Sequence, residues 1–278
     1  MTGRALVLGG GGVTGVAWEL GLLTGLADAG VSLTDADLVI GTSAGSVVGA
    51  QVAAGLDLAE RYARQLIDPT GEIAARLTRA TMLRLGWAAV RTRDGQAFRA
   101  RVGRMALAAR TIPEAERRDV IETRLPVKEW PERRLLLTAV DAQTGELVVF
   151  DRDGEVTLVD AVAASCAVPG VWPPVSIDGR RFIDGGIRST TNADLAAGCE
   201  RVVIIAPIPA GFGPIAGAEA EAAELRRTAR VVVIAPDPAA KHAIGRNVLD
   251  PARRPGAARA GRAQAAAVAD AVRNVWLS

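Results

Sequence analysis

Short aliphatic runs alternate with helical patterns along the chain and predict strands and helices in turn. The run at 4–8 (RALVL) ends at four glycines and leads into a helical pattern that starts near Gly15. The run at 37–40 (DLVI) leads through the turn 41–45 (GTSAG) into a helix at 46–54. Two strand, turn and helix units in close succession predict a mainly parallel sheet with crossover helices, and therefore a layered α/β fold.

The middle of the chain has helical spacing without a clear strand. We interpret residues from about 57 to 130 as a helical insertion over one end of the sheet, within a single domain that spans residues 1–278. The remaining predicted elements are a strand hairpin at 134–151 around Thr144 and Gly145, a helix at 158–166, a hairpin at 176–183 around Asp178 and Gly179, strands at 201–206 and 230–235 with a helix at 216–228 between them, and a closing helix at 260–276.

Composition and charge narrow the function classes. The chain has 278 residues, of which 49% are hydrophobic, and its net charge of +2 excludes the strongly basic signature of a dedicated nucleic-acid binder. The charge is uneven, because residues 57–134 hold 16 Arg and one Lys against 11 acidic residues. Cys166 and Cys199 form no CxxC pair, so the sequence predicts neither a disulfide framework nor a metal finger, and we interpret both as small buried side chains.

The sequence contains no recognisable targeting or membrane-spanning segment. Its N-terminal apolar stretch, from Ala5 to Leu8, is shorter than the apolar region of a secretory signal and is followed by no cleavage site. No apolar run approaches the roughly 18 residues that span a bilayer. We therefore expect a soluble cytoplasmic protein that is able, at most, to touch a membrane from one side.

The first motif is the glycine-rich turn from Gly10 to Gly15 (GGGVTG), which has the form GxGxxG. Glycines at a helix N-terminus allow backbone N–H groups to point at a negatively charged group. One interpretation is a dinucleotide-binding loop, but that fold needs an acidic residue at the end of the second strand, and here Asp35 and Asp37 precede that strand.

The second motif is GxSxG, from Gly41 to Gly45, which puts Ser43 between a predicted strand and a predicted helix. A serine on such a sharp turn exposes its hydroxyl group, as a catalytic nucleophile requires. The alternative is a turn in which Ser43 only caps the following helix.

The third motif is Asp184-Gly185-Gly186, after the predicted strand of the second hairpin. An aspartate before two glycines is most often a turn residue. A serine hydrolase with a histidine-centred triad needs an imidazole, and His242 is the single histidine of the chain. His242 lies in a segment typical of a solvated helix start, so we interpret it as a surface residue.

Together these motifs resemble those of the patatin-like phospholipase family. The stretch LVLGGGGVTG is similar to the family's oxyanion loop, GTSAG to its nucleophile elbow, DGG to its catalytic aspartate motif, and the segment 164–170 (ASCAVPG) to bacterial members. The resemblance implies a patatin-like three-layer α/β fold and a Ser43 and Asp184 dyad without a metal or cofactor. The residues implied for the oxyanion hole are Gly10, Gly11 and Gly12, and the other motif glycines are Gly15, Gly41, Gly45, Gly185 and Gly186. The family often has Arg or Lys where this chain has Thr14.

The resemblance implies a serine lipid acyl hydrolase of the phospholipase A type, which cleaves the carboxylic esters of lipids through an acyl-enzyme. Three alternatives stay open: a soluble esterase or thioesterase with the same dyad, a dinucleotide-binding module, and a catalytically silent lipid-binding protein.

The segment 81–87 (TMLRLGW) lies in the predicted insertion and has two interpretations. We favour core positions for Met82, Leu83, Leu85 and Trp87, and the alternative is an interfacial segment that touches lipid. The arginine surplus of the insertion is likewise interpreted first as a solvated helix face. Its alternative is peripheral contact with an anionic membrane, through attraction that salt weakens.

Overall fold

The centre of the molecule is an eight-stranded sheet. A computed structural model describes residues 3–67, 75–76, 83, 86–89 and 94–277. The strands are β1 (Arg4–Leu8), β2 (Leu38–Gly41), β3 (Arg134–Asp141), β4 (Leu147–Phe150), β5 (Val175–Ile177), β6 (Arg180–Asp184), β7 (Arg201–Ile205) and β8 (Arg230–Ile234). Their order is β5-β6-β3-β2-β1-β7-β8, with β4 paired to β3 outside this path. The neighbours from β3 to β8 are parallel, whereas β4 and β6 run antiparallel to β3.

Helices cover both faces of the sheet. They are α1 (Gly12–Asp28), α2 (Ala44–Ala53), α3 (Leu58–Gln65), α4 (Gly95–Leu107), α5 (Glu114–Arg124), α6 (Leu158–Ser165), α7 (Ala218–Leu225), α8 (Pro238–Ile244) and α9 (Arg254–Trp276). Side chains of β1 alternate between two cores: Leu6 and Leu8 pack with α1, α2, α6 and α9, and Ala5 and Val7 pack with α7. This alternation is what a strand buried on both faces requires, and it confirms the predicted three-layer α/β fold.

The two hairpins predicted from turn residues are confirmed. β3 pairs with β4, and β5 pairs with β6 around Asp178 and Gly179. These two turn residues have φ values of 49° and 75°, the left-handed conformation that a two-residue hairpin turn favours. Helix α1 begins at Gly12 rather than near Gly15, so the glycine-rich motif includes the first turn of the helix.

Helices α1 and α9 pack closely because both carry glycines at their contact. A Cβ atom on Gly21 would lie 2.1 Å from the carbonyl oxygen of Ala258, and one on Gly261 would lie 2.2 Å from that of Trp18. The closing helix begins at Arg254, not at the predicted residue 260. Pro255 occupies the first turn of this helix, where no intrahelical N–H donor is needed.

Within the predicted insertion, the described residues form α3, α4 and α5. Phe98 and Val102 of α4 pack against Val140 of β3 and Ile183 of β6, together with Ala88, so the 86–89 segment and α4 lie over one end of the sheet.

The preference for core positions in the 81–87 segment is wrong for the two large side chains that are described. Leu83 is 74% exposed and Trp87 is 55% exposed. The next residue, Ala88, is buried against the sheet instead. Met82 and Leu85 lie outside the described residues. Among the described helices, none combines the length and the apolar character needed to cross a bilayer.

Candidate active site

Three turns converge near the ends of neighbouring strands. The glycine-rich turn follows β1, the turn with Ser43 follows β2, and Asp184 is the last residue of β6. Gly41 pairs with Leu137 of β3, and Asp184 pairs with Ala139, two residues further along the same strand. The sheet register therefore brings Asp184 to the side of the turn that carries Ser43.

Ser43 occupies a sharp turn between β2 and α2. Its φ of 52° and ψ of −112° are unusual for a residue with a side chain, and its N–H donates to Ser165 Oγ at 2.9 Å. The turn needs glycine on both sides. A Cβ atom on Gly41 would lie 2.6 Å from the Gly45 carbonyl oxygen, and one on Gly45 would lie 2.0 Å from the Leu8 carbonyl oxygen.

Asp184 is 5% exposed, and Ser43 is its polar neighbour in the site. Burial raises the pKa of Asp184 from its usual 3.8 to about 6, while hydrogen bonds from the Ser43 side chain and the Gly186 N–H lower it. The Gly186 N–H donates to Asp184 Oδ1 at 2.8 Å. At neutral pH the carboxylate form still predominates, and it is a stronger base than an exposed aspartate.

The asparagine Asn192 connects the two turns, although no sequence motif identified it. Its Nδ2 lies 3.0 Å from Thr42 Oγ1, 3.2 Å from Thr138 Oγ1 and 3.3 Å from the carbonyl oxygen of Gly185. Thr42 precedes the serine and Gly185 follows the aspartate, so this fully buried side chain joins both positions. Asn192 has a φ of 51°, a left-handed conformation that asparagine tolerates better than most residues. This conformation marks the position in the structure, but no pattern in the sequence indicates it.

The glycine-rich turn lies beside Ser43, because a Cβ atom on Gly10 would lie 3.6 Å from Ser43 Cβ. Its three predicted oxyanion amides are not equivalent. The Gly10 N–H already donates to the Thr190 carbonyl oxygen at 2.8 Å. The N–H groups of Gly11 and Gly12 lie at the N-terminus of α1, where no intrahelical acceptor exists, and no backbone acceptor for them is found among the described residues. These two amides are therefore the ones available to an oxyanion.

The first turn of α1 also contacts the segment before α9. Thr14, at the position where the family often has a cation, donates from its N–H to the Val248 carbonyl oxygen at 3.1 Å and from its hydroxyl at 3.2 Å. Gly12 has a φ of 59°, and a Cβ atom there would lie 2.5 Å from the same oxygen. Thr14 is buried and serves as a structural contact.

A pocket opens at Ser43 and is mainly apolar. Its walls come from α1, α2, α5 and the segment before α9, and include Val16, Val47, Ile121 and Leu249. Two cations, Arg117 and Arg124 of α5, also line this pocket. The arginines of this region were expected on a solvated helix face, but Arg117 is only 7% exposed. The sequence does contain one indication that Arg117 faces the pocket: residues 117, 121 and 124 have the spacing of one helix face, and residue 121 is an isoleucine.

Cys166 and Cys199 are buried, as predicted. The Cys166 thiol donates to the Ser43 carbonyl oxygen at 3.2 Å, and burial raises the pKa of this thiol to about 11. At neutral pH it is therefore a protonated thiol that supports the turn.

Glu19 of α1 is a fully buried acid that sequence analysis did not single out. None of the described side chains pairs with its carboxyl group. Burial raises its pKa well above the usual 4.5, and the Gly9 N–H offsets part of that rise.

The positions of His242, Asp35 and Asp37 argue against a histidine-centred triad and against a dinucleotide site. His242 is exposed in the last turn of α8, as predicted for a surface residue. Asp35 and Asp37 contact Arg4 at the start of β1, so they lie at the opposite end of the strand from the glycine-rich turn. A dinucleotide ribose would need an acid near that turn. Within the described part of the chain, no three His, Cys, Asp or Glu side chains are grouped to hold a metal ion.

A family profile and several known proteins are similar to this chain. A profile of the patatin-like phospholipase family matches residues 6–197. Among solved structures, the chain is similar to VipD from Legionella pneumophila, with a TM-score of 0.48, 13% identity, and coverage of 98% of this chain and 67% of that one. It is also similar to the type III effector protein ExoU, with a TM-score of 0.42, 15% identity, and coverage of 98% and 53%.

Sequence relatives include uncharacterised NTE family proteins of Mycobacterium bovis and Mycobacterium tuberculosis. Each is 31% identical over 192 residues, which cover 66% of this chain and 42% of the relative. The match thus spans less than half of each relative's length. Since the family profile covers more than half of the present chain, including the turns that carry Ser43 and Asp184, the protein belongs to the patatin-like phospholipase family.

Proposed function

We propose that this chain is a serine lipid acyl hydrolase that acts as one domain and uses Ser43 as nucleophile and Asp184 as general base. The observation that carries the proposal is the contact between the Ser43 side chain and a buried carboxylate whose pKa is raised to about 6. The strained turn of Ser43 and the mainly apolar pocket beside it support the same function.

The reaction begins when Ser43 Oγ attacks the ester carbonyl carbon and Asp184 accepts the hydroxyl proton. The N–H groups of Gly11 and Gly12 stabilise the oxyanion of the tetrahedral intermediate, helped by the positive end of the α1 dipole. The carbon–oxygen bond to the alcohol then breaks, and Asp184 returns the proton to the leaving alcohol. A water molecule, deprotonated by the same carboxylate, hydrolyses the acyl-enzyme and regenerates Ser43.

The raised pKa matters because a carboxylate with the usual value of 3.8 is a poor base toward a hydroxyl. An increase to about 6 corresponds to roughly a 100-fold stronger affinity for the proton. The oxyanion donors contribute in addition, since removal of one such donor typically reduces the rate by about 10²- to 10³-fold.

A fluorophosphonate probe and a p-nitrophenyl ester test the dyad together. We expect the wild-type protein to be labelled and to hydrolyse the ester, and Ser43→Ala and Asp184→Ala to lose both reactions while remaining folded. Matched controls are Ser32→Ala and Asp153→Asn, which change exposed residues and should behave as wild type. Labelling that persists in Ser43→Ala would refute the assignment of the nucleophile.

The substrate is proposed to be a lipid ester rather than a water-soluble ester or thioester. The apolar walls of the pocket favour an acyl chain. Hydrolysis of micellar phospholipid should therefore be faster than that of a short-chain soluble ester or thioester at equal concentration. A preference for the soluble compounds would instead assign the chain to the esterase or thioesterase class.

We further propose that the exposed apolar side chains of the insertion contact an anionic lipid surface. Leu83 and Trp87 are exposed, and the segment that carries Trp87 packs through Ala88 on the end of the sheet next to Asp184. A vesicle contacted by these side chains would therefore approach the end of the sheet that carries Asp184.

Sedimentation with vesicles tests this contact. The Leu83→Ala and Trp87→Ala double variant should bind anionic vesicles more weakly than wild type, and salt should weaken the wild-type binding. Leu277→Ala, which changes an exposed leucine next to α9, serves as the control. Equal binding of wild type to neutral and anionic vesicles would contradict the electrostatic part, and unchanged binding of the double variant would contradict the docking surface.

A further inference from the structure

The pocket at Ser43 contains a feature that ester hydrolysis alone does not require, namely the two arginines of α5. Arg117 and Arg124 enter an otherwise apolar pocket on either side of Ile121. Acyl chains gain nothing from cations, and burial of a charged group without a partner is costly. Arg117, which is 7% exposed and forms no ion pair among the described residues, therefore points to an anionic group on the substrate.

Arg117 is held in place by stacking rather than by an acid. Its guanidinium carbon lies 3.9 Å from the centre of the Trp172 ring, and Trp172 also lines the pocket. Within the described part of the chain, no carboxylate lies within ion-pair distance of Arg117. The adjacent Arg118 differs, because it contacts Asp160 at 2.7 Å and Glu122 at 3.3 Å.

The electrostatic environment of Arg117 is also unfavourable in the absence of an anion. Burial lowers the pKa of Arg117 to about 10, and repulsion from Arg124 lowers it further, although the buried Cys166 opposes this shift. The side chain remains charged at neutral pH. An anion bound between the two guanidinium groups would remove their repulsion and accept hydrogen bonds from the planar forks that arginine presents.

We propose that Arg117, assisted by Arg124, is a specificity-determining residue that binds a phosphate group attached close to the scissile ester of the substrate. This proposal rests on the hydrolase function proposed above, and it assigns the anion subsite to the insertion helix α5. The apolar walls take the acyl chain, while the arginines take the phosphate, so one pocket holds both ends of a phosphorylated acylglycerol.

The test compares two esters that differ only in the phosphate. Monomeric dihexanoylglycerol and the same compound phosphorylated on its free hydroxyl are hydrolysed by wild type, Arg117→Met, Arg117→Lys and Arg118→Met. The measured quantity is the ratio of kcat/KM for the phosphorylated ester to that for the neutral ester. A third substrate, in which glycerol is added as a phosphodiester, separates a lipid head group from a terminal phosphate.

We expect the ratio to fall by about 10- to 100-fold in Arg117→Met, which is the effect of losing one or two hydrogen bonds to a charged group. Arg117→Lys, which keeps the charge but not the fork, should lie between Arg117→Met and wild type. Arg118→Met should keep the wild-type ratio. An unchanged ratio in folded Arg117→Met would overturn the proposal.

A binding measurement keeps the subsite testable apart from catalysis. Calorimetric titration of sn-glycerol 3-phosphate and of inorganic phosphate into Ser43→Ala should detect binding. This binding should be weakened when Arg117→Lys is added to Ser43→Ala and lost when Arg117→Met is added. If neither ester is hydrolysed by wild type but this Arg117-dependent binding is present, the hydrolase function fails and the anion site stands. If both esters are hydrolysed and no such binding or ratio change is found, the anion site fails and the hydrolase function stands.

Discussion

Replacement of Asp184 by asparagine is expected to abolish hydrolysis and, at the same time, to stabilise the folded protein at neutral pH. The substitution keeps the size of the side chain and an Oδ1 atom that can accept the Gly186 N–H. It removes the negative charge, which is the part of Asp184 that burial disfavours. Because the amide cannot accept the proton of Ser43, turnover should fall by about 10²- to 10⁴-fold.

The magnitude of the stabilisation follows from the pKa of Asp184. A difference of one in pKa corresponds to about 1.4 kcal/mol, so a pKa raised from 3.8 to about 6 means that ionisation costs about 3 kcal/mol more in the folded chain than in the unfolded chain. A raised pKa in the folded state contributes stability that is present below 3.8 and is lost as the pH rises through 6. The asparagine variant does not undergo this loss.

Urea denaturation of wild type and Asp184→Asn between about pH 4 and pH 7.5 measures the effect. All other titrating groups are shared, so the pH-dependent part of the difference in unfolding free energy reports Asp184 alone. That difference should shift in favour of the variant by about 2 to 3 kcal/mol across this range and become constant above about pH 7. A difference that is independent of pH would show that burial does not raise the pKa of Asp184, and would refute this prediction.

Three further changes have expected outcomes. The kcat/KM of wild type should decline below pH 6 and reach about one tenth of its plateau near pH 5, because most Asp184 is protonated there. A kcat/KM that is constant from pH 5 to 7 would exclude Asp184 as the base. Gly45→Ala should destabilise the fold by more than about 3 kcal/mol in thermal unfolding, since its Cβ atom would meet the Leu8 carbonyl at 2.0 Å, whereas Gly86→Ala, with open space around it, should not. Glu19→Gln should raise the unfolding free energy at neutral pH and less so at low pH, because the raised pKa of Glu19 gives stability below 4.5 that is lost on ionisation; equal effects at both pH values would contradict this.

The sequence predicted most of the layered fold because its strands and turns carry local signals. The runs at 4–8 and 201–206 are buried on both faces, and the run at 230–235 forms a half-buried edge strand. All three are continuous aliphatic stretches that pattern analysis detects. The turn at Asp178 and Gly179 is likewise set by the residues themselves. The start of α9 was missed, since a proline such as Pro255 is compatible with either a break or a first helical turn, and packing on α1 decides between them.

The site was predictable in its motifs but not in its surroundings. Ser43 and Asp184 lie in short glycine-containing patterns that are local in sequence. Asn192 and Arg117 act through contacts between residues far apart in the chain, and only the folded chain shows that one joins the two turns and the other lines the pocket. The distribution of charge predicted a solvated arginine face, which burial of Arg117 against Trp172 contradicts.

The segment before α9, residues 247–251, forms one wall of the pocket at Ser43. Leu249 and Pro251 line the pocket and Val248 holds the first turn of α1 through Thr14, yet all three residues lie beyond position 197, where the family match ends. This part of the pocket wall is therefore separable, along the chain, from the turns that carry Ser43 and Asp184. Exchanging residues 247–251 offers a way to change the shape of the pocket while the turns at Ser43 and Asp184 keep their own residues.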